Sequence, residues 1–286
     1  MQPLVSHHGL LDKSNHSMKK QLILLSVVLL VSLTGGIAQN RETRNVDTFN
    51  KIAFRLPGKV YVRQGDTQKI EIEASKDLLS KIETEVEGSK LIIHSPGKWN
   101  WKGDERITAY ITVKNLEGLS VSGSGDLIGE GKFNTGDMDL NVSGSGSLKV
   151  ELASSGEVEA DVSGSGELLV TGSCKNFDSD VSGSGRVVAD MAVSGDADFT
   201  ISGSGKIEAR GRASEVSTTI SGSGKVLGSN FEVNRCDVRI SGSGDVEIAV
   251  KDELDATISG SGTVSYKGNP GKVNSHASGS GRVNKM

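Results

Sequence analysis

The chain has 286 residues, enough for one large domain or two small ones. Its formal net charge of −4 gives no basic excess, which argues against nucleic acid as a partner. Aromatic residues make up only 4% of the chain, whereas glycine reaches 37 residues. Small and β-branched side chains must therefore build the core, and there is little material for a haem, flavin or metal cofactor.

The N-terminal region has the features of an export signal. Lys19 and Lys20 precede the apolar run 22–33, and small residues follow up to Ala38. This order is typical of a secretory signal peptide cleaved after Ala38. The run is shorter than the ~18–20 residues that cross a bilayer, so we expect no membrane span after cleavage. We interpret residues 1–38 as an upstream segment plus signal peptide.

Residues 39–118 carry no repeated motif, but apolar and polar residues alternate in several short segments. Such alternation is typical of strands with one buried face. The predicted strands are Lys51–Leu56, Lys59–Arg63, Lys69–Ala74, Lys90–His94 and Ile107–Lys114. A helical turn is expected at Asp77–Ile82. We predict irregular opening rungs or a β cap here, since the open end of a strand stack would template aggregation.

The tetrapeptide Ser-Gly-Ser-Gly dominates the rest of the chain. Its nine copies begin at Ser122, Ser143, Ser163, Ser182, Ser202, Ser221, Ser241, Ser259 and Ser278, at spacings of 18 to 21 residues. An apolar residue precedes each copy and another lies five positions after its first serine, as Val162 and Leu168 do around Ser163. Polar residues alternate with them, so the pattern predicts a strand on either side of each tetrapeptide.

A unit of about 20 residues cannot bury its apolar face alone, so the units are expected to stack. Residues 119–286 are therefore predicted to form an all-β, right-handed parallel β-helix, the hand following from that of parallel crossovers. A propeller would need about twice this period. Both glycines of the tetrapeptide are expected on the inward side, where they supply a positive φ at a corner or allow close approach of the opposite wall. A connector of about seven residues is expected to be a loop.

The two cysteines fall in different columns of the repeat. Cys174 and Cys236 are three rungs apart, roughly 14 Å at 4.8 Å per rung. A disulfide needs Cα atoms within about 7 Å. We therefore predict two free, buried thiols.

Acidic residues recur four positions before the repeat serine, at Asp139, Glu159, Asp178, Asp198, Asp237 and Asp255. Asp161 and Asp180 share their outward parity. The sequence therefore predicts that Glu159, Asp161, Asp178 and Asp180 form a patch on two adjacent rungs. Because stacked carboxylates repel one another, Ca²⁺ is a candidate ligand of this patch. The alternative is a solvated acidic strip that keeps the rod soluble.

Trp99 and Trp101 are the two tryptophans of the chain and lie in a polar segment. Alternate positions can point the same way, and paired exposed indoles form a stacking surface for sugar rings. We therefore take Trp99 and Trp101 as a candidate glycan site. The alternative is that they pack on the cap.

The sequence gives no signal for catalysis. The connectors are short, and no nucleophile elbow, phosphate loop or zinc spacing is present. In the column after each tetrapeptide, Glu167 with Arg186 and Lys225 with Asp245 read as ion pairs between rungs. We predict that the protein is not an enzyme; a carbohydrate-active β-helix enzyme is the least favoured alternative.

An export signal, a strand-rich start and units such as Val121-Ser-Gly-Ser-Gly-Asp126 together resemble the auto-transporter adhesin "head GIN" domain family of exported proteins from Bacteroidetes-type bacteria. The resemblance spans Val46–Val283. It implies a right-handed β-helix in the periplasm, on the outer surface or secreted, with an adhesive role. We expect non-catalytic binding of a glycan or protein partner; the alternative is an envelope scaffold that binds no small ligand.

Overall fold

The computed structural model of the chain describes residues 40–97 and 106–286. The predicted signal peptide and the pair Trp99 and Trp101 lie outside these residues. About 74% of the described backbone is β-strand, and its one short helix is α1 (Lys76–Leu79), which Ser75 caps and which overlaps the predicted helical turn at residues 77–79. None of the helical structure in this part of the chain is long and apolar enough to span a membrane.

The strands run in chain order. The N-terminal ones are β1 (Asn40–Arg44), β2 (Lys51–Phe54), β3 (Lys59–Gln64), β4 (Lys69–Ala74), β5 (Glu83–Glu87), β6 (Lys90–His94) and β7 (Thr108–Val113). The repeats begin with β8 (Gly118–Gly123), β9 (Asp126–Thr135), β10 (Met138–Gly144), β11 (Ser147–Ser154), β12 (Glu157–Gly164), β13 (Glu167–Cys174), β14 (Asn176–Gly183), β15 (Arg186–Val193) and β16 (Asp196–Gly203). They end with β17 (Lys206–Gly222), β18 (Lys225–Gly242), β19 (Asp245–Gly260), β20 (Thr263–Lys267), β21 (Lys272–Gly279) and β22 (Arg282–Lys285).

Equivalent strands of successive repeats pair in parallel and in register, serine upon serine. Ser143 of β10 lies beside Ser163 of β12, which lies beside Ser182 of β14. The result is the predicted parallel β-helix with an N-terminal β cap. Its apolar columns form one continuous buried core, in which the column from Val121 through Val142 and Val162 to Ile258 is at most 2% exposed.

The solenoid has two side walls that carry regular columns of outward residues. Face A is the outward side of the strands that precede each Ser-Gly corner: β10, β12, β14, β16, the C-terminal halves of β17, β18 and β19, and β21. Face B is the outward side of the strands that follow the corner: β9, β11, β13, β15, the N-terminal halves of β17, β18 and β19, and β20, together with β3, which pairs with β9. Both walls are parallel ladders with one residue per column on each rung.

The two glycines of each tetrapeptide have different roles. Gly183, a first glycine, is half-exposed and has φ +114°, and the following Ser184 donates its N–H to the carbonyl of Gly164. Gly185, a second glycine, is buried, and a Cβ there would lie 2.4 Å from Cγ1 of Val162 on the preceding rung. The expectation that both glycines point inward is therefore right only for the second. The first turns the corner, and the second lets successive rungs approach.

The connectors are not the loops that the length variation suggested. Between β13 and β14 a single residue, Lys175, lies outside strand, and β17 to β19 run through the connector without interruption. Parallel pairing satisfies the connector backbone on both sides, as at Ser173 beside Ala153 and Ala192. Gly131, Gly172, Gly211 and Gly268 have positive φ in the second half of their repeats, and Gly172 and Gly211 share one column across Met191.

The N-terminal region combines both predicted forms. β2 and β3 make a rung that pairs in parallel with β8 and β9 on one side and with β6 and β7 on the other. Beyond that, β5 pairs antiparallel with β6, β4 with β7, and β1 with β4. Antiparallel strands thus cover the parallel edge. β1 and β5 were not predicted, because their sequences NRETR and ETEVE hold one apolar residue between them.

Both cysteines are free and buried, as predicted. Cys236 lies in the apolar column between Val216 and Leu254, and Cys174 lies beside Val193. Burial raises the pKa of each thiol to about 12, so both are protonated, unreactive core residues at neutral pH.

Candidate functional site

Face A carries three outward columns, of which the middle one is the predicted acidic ladder. Its members in rung order are Asp139, Glu159, Asp178, Asp198, Ser217, Asp237, Asp255 and Asn274. Glu159 pairs in register with Asp178, and Asp161 with Asp180, so the structure brings together the four predicted carboxylates.

Positive or amide groups compensate the ladder only towards its ends. Lys51 forms an ion pair with Asp139 across Gly118, where a side chain would meet the Lys51 stem at 3.2 Å. Arg239 reaches Asp237 at 2.9 Å, and Asn274 donates to Asp255 at 3.2 Å. Within the described ranges the central members form no ion pair with a cation. The middle of face A is therefore an uncompensated acidic surface, which we call the acidic centre: Glu159, Asp161, Asp178, Asp180 and Asp198.

Burial and mutual repulsion raise the pKa values of three carboxyl groups in the acidic centre. Burial between neighbouring rungs raises the pKa of Asp178 to about 6, and repulsion from Asp198 and Asp161 adds to the shift. Burial also raises the pKa of Asp161, with Asp180 as the strongest repelling charge. The pKa of Glu159 rises for the same two reasons. Glu159, Asp161 and Asp178 thus hold protons more tightly than isolated carboxylates do, and a cation would relieve the repulsion.

The acidic surface is also concave. One depression of about 560 Å³ runs along the rungs from Glu157 past Asp178 and Asp198 to Asp255. A second, of about 400 Å³, lies between Lys51 and Asp161. An extended ligand lying along the rod would therefore contact several carboxylates at once.

Two predictions about ligands stay predictions. As the side chains are placed, no group of three or more histidine, cysteine, aspartate or glutamate residues among the described ones is arranged to hold a metal ion. Calcium at Glu159, Asp161, Asp178 and Asp180 is therefore still an inference from the sequence. The glycan site at Trp99 and Trp101 falls outside the described residues.

Face B contrasts with face A. Arg186 bridges Glu167 at 3.0 Å and Glu208 at 2.9 Å, and Lys225 pairs with Asp245 at 2.8 Å, which confirms the predicted ion pairs. Between these ion pairs lies a column with several apolar residues that was not predicted from the sequence. It contains Ile128, Leu169, Val188 and Leu227, all half-buried on the outward side. Its signal was an apolar residue six positions after the repeat serine.

Stacked parallel rungs of this kind define the class of β-solenoid proteins, whose side walls present long continuous surfaces. The family described as "Putative auto-transporter adhesin, head GIN domain" matches residues 48–210 and 191–270. The chain belongs to this family. Its description points to an exported or surface location and to adhesion.

Solved structures agree with this assignment. A protein from Parabacteroides distasonis, described as a putative lipid binding protein, is 25% identical with TM-score 0.66, over 88% of this chain and 98% of that one. A putative adhesin from Parabacteroides merdae is 23% identical with TM-score 0.66, over 88% and 97%. Another from P. distasonis is 20% identical with TM-score 0.65, over 87% and 97%, and these two show the shared fold. No curated protein matches the sequence significantly.

Proposed function

We propose that the protein is an exported, non-catalytic adhesin that holds a basic, extended segment of a partner protein along face A. The observation that carries this proposal is the acidic centre, where carboxylates with raised pKa values line a concave surface without ion-pair partners in the described part of the chain. Lysine and arginine side chains of a partner would supply the missing positive charge.

The geometry suits an extended ligand better than a compact one. Carboxylates on successive rungs are about 4.8 Å apart, and they follow the rod axis. A strand or coil with basic residues at every second position, about 6.5 Å apart, would meet several of them at once. Contacts that are individually weak at an exposed surface then add up along the rod.

The family description supports adhesion. The protein from P. distasonis is described as lipid binding, but a lipid surface with anionic head groups would be repelled by face A.

Two functions compete with the proposal. A glycan ligand rests on Trp99 and Trp101, and an envelope scaffold would leave face A without a partner.

The test is a binding array of surface proteins, basic peptides and glycans, run with calcium and with a chelator. Oligolysine serves as the probe of face A. The variant Asp178→Asn/Asp198→Asn removes two charges from the acidic centre, and Asp66→Asn/Asp252→Asn removes two exposed charges elsewhere as the matched control. We expect the first variant to bind oligolysine and the partner at least about tenfold more weakly, and the control to bind unchanged.

Other outcomes point to the alternatives. Binding that is confined to glycans and lost in Trp99→Ala/Trp101→Ala would replace the protein partner by a sugar. Binding that needs calcium and disappears with the chelator would support the calcium prediction. An array without any binding would favour the scaffold, and release of reducing ends from polysaccharides would reveal an enzyme.

A further inference from the structure

Face B carries three outward columns on consecutive rungs. The first contains Lys59, Asp126, Ser147, Glu167, Arg186, Lys206, Lys225 and Asp245. The middle one contains Tyr61, Ile128, Lys149, Leu169, Val188, Glu208, Leu227 and Glu247. The third contains Lys132, Glu151, Thr171, Asp190, Arg210 and Asn230.

The middle column is unusual for the outer wall of a solenoid. Leu169 and Val188 are neighbours on adjacent rungs, with Ile128 two rungs before them and Leu227 two rungs after. These side chains are only half-buried and lie on the solvent side of the sheet. Leu169 and Val188 form a contiguous apolar pair at the centre of the face, and partly exposed apolar surface commonly marks a protein interface.

The charges on face B invert in sign about one point, the midpoint between β13 and β15. When the order of the rungs is reversed about that point, Glu167 falls opposite Arg186, and Lys149 opposite Glu208. The remaining charged combinations are Glu151 with Arg210, Asp126 with Lys225, and Lys59 with Asp245. All five combinations join opposite charges, and none of the reversed positions in these columns places like charges together.

The apolar positions obey the same symmetry. Leu169 falls opposite Val188, and Ile128 opposite Leu227. When two copies of face B lie against each other about a two-fold axis parallel to the strands, the order of the rungs is reversed. Each column then still faces the same column of the other copy. In such an isologous interface, each residue contacts its counterpart twice, once from either copy.

We propose that a second copy of this chain covers face B, related by a two-fold axis that runs along the strands between β13 and β15. The rods of the two copies lie antiparallel, and the apolar column forms the centre of the interface. Flanking ion pairs on both sides fix the register.

The pattern of ion pairs within one chain supports this partner. Arg186, next to the axis, is already bridged to Glu167 and Glu208. Lys149, Glu151 and Arg210 form no ion pair inside the described part of the chain, although each is exposed and charged. Glu151 and Arg210 are three rungs apart in one copy, roughly 14 Å, too far to pair directly. The second copy brings the missing counter-charge to each of them.

The interface that face B can form is small. The rungs from Lys59 to Asp245 span roughly 35 Å, and the three columns span about 16 Å along the strands. This corresponds to about 550 Å² per copy, or about 1,100 Å² in total, which is at the lower end for specific interfaces. We therefore expect a reversible dimer whose population depends on protein concentration in the micromolar range.

The test is a charge swap followed by sedimentation velocity over a range of concentrations. Glu151→Lys and Arg210→Glu each place two like-charge contacts in the homodimer, and we expect each to weaken it at least about tenfold. A mixture of the two single variants restores both attractive contacts in the heterodimer, as does the double variant Glu151→Lys/Arg210→Glu in its homodimer. Recovery in the mixture also shows that both variants are folded. Asp66→Asn is the control outside face B.

A second measurement does not depend on equilibrium affinity. In the variant Lys149→Cys/Glu208→Cys, the new thiols are three rungs apart in one copy, so a disulfide between them can form only across two copies. We expect mild oxidation to yield a covalent dimer. A protein that stays monomeric throughout, a dimer that neither single variant weakens, or variants that do not recover on mixing would each overturn the proposal.

Discussion

Face A and face B share the same backbone ladder but arrange their charges in opposite ways. Face A stacks like charges in its acidic column, whereas face B pairs Arg186 with carboxylates on both neighbouring rungs. The inward residues of both faces are buried and mainly apolar. The comparison shows that the core dictates the solenoid, which leaves the outward positions free to specify two different surfaces.

The largest expected effect concerns the corner that joins the two faces. Gly183→Ala would place a Cβ 2.7 Å from the carbonyl oxygen of Gly164, on a residue with φ +114°. We expect the free energy of unfolding to fall by about 3 kcal/mol, measured by urea denaturation. Gly136→Ala is the control, because a Cβ there meets no atom within 4 Å. Equal stability of the two variants would show that the corner does not need its glycine.

The next effect is a pH dependence that arises on face A. The pKa of Asp178 is about 6 in the folded protein, above the ordinary value of about 3.9, so the folded state retains a proton that the unfolded chain releases. The ionised Asp178 therefore lowers the free energy of unfolding above pH 6. This loss of stability disappears as the pH falls to about 4. Solvent screening limits it to about 1 kcal/mol, because the Asp178 side chain, although crowded by the neighbouring rungs, still has solvent-accessible surface.

The variant Asp178→Asn isolates this contribution. It should be more stable than the natural protein at pH 7.5 and equal to it at pH 4, measured by denaturant titration at both values. Asp66→Asn, which removes an exposed charge outside both faces, should show no such difference. An Asp178→Asn variant that is less stable at pH 7.5 would mean that this carboxylate has a stabilising partner.

The smallest expected effect is a loss of stability from a change on face B, whereas Asp178→Asn on face A is expected to increase stability at pH 7.5. Arg186→Gln removes the bridge between Glu167 and Glu208 and leaves two carboxylates facing an amide. Since the arginine is 44% exposed, we expect a loss of only about 0.5 kcal/mol at low salt, and less at high salt. The measurement is the unfolding free energy at two ionic strengths. A gain in stability would contradict the contrast between the faces.

Period-2 alternation and the recurrence of Ser-Gly-Ser-Gly were enough to predict the β-helix, because a strand that buries Val162 and Leu168 on one side has few other folds available. The strands β1 and β5 could not be found in this way, since they are defined by pairing with β4 and β6 rather than by their own apolar residues. The first glycine of each repeat has inward parity by count, yet its positive φ turns it out of the core.

The candidate surfaces likewise combine features that could be predicted from the sequence with features that could not. The register of Glu159 on Asp178 followed from the repeat alone, and the structure confirms it. The raised pKa of Asp178 could not be read from the sequence, because burial between rungs contributes more than charge does. The apolar column of face B was hidden by Lys149 and Glu208, which interrupt it, and became visible only once the rungs were aligned by pairing.

The most direct test of the contrast between the faces is a site-resolved NMR titration of the side-chain carboxyl groups of Asp178 and Glu208. We predict pKa shifts in opposite directions for these two groups. Asp178 on face A should titrate near pH 6, and Glu208 on face B, hydrogen-bonded by Arg186, below the ordinary glutamate value. If both groups titrate near their ordinary values, the two faces do not differ in the way described and face A holds no unrelieved charge.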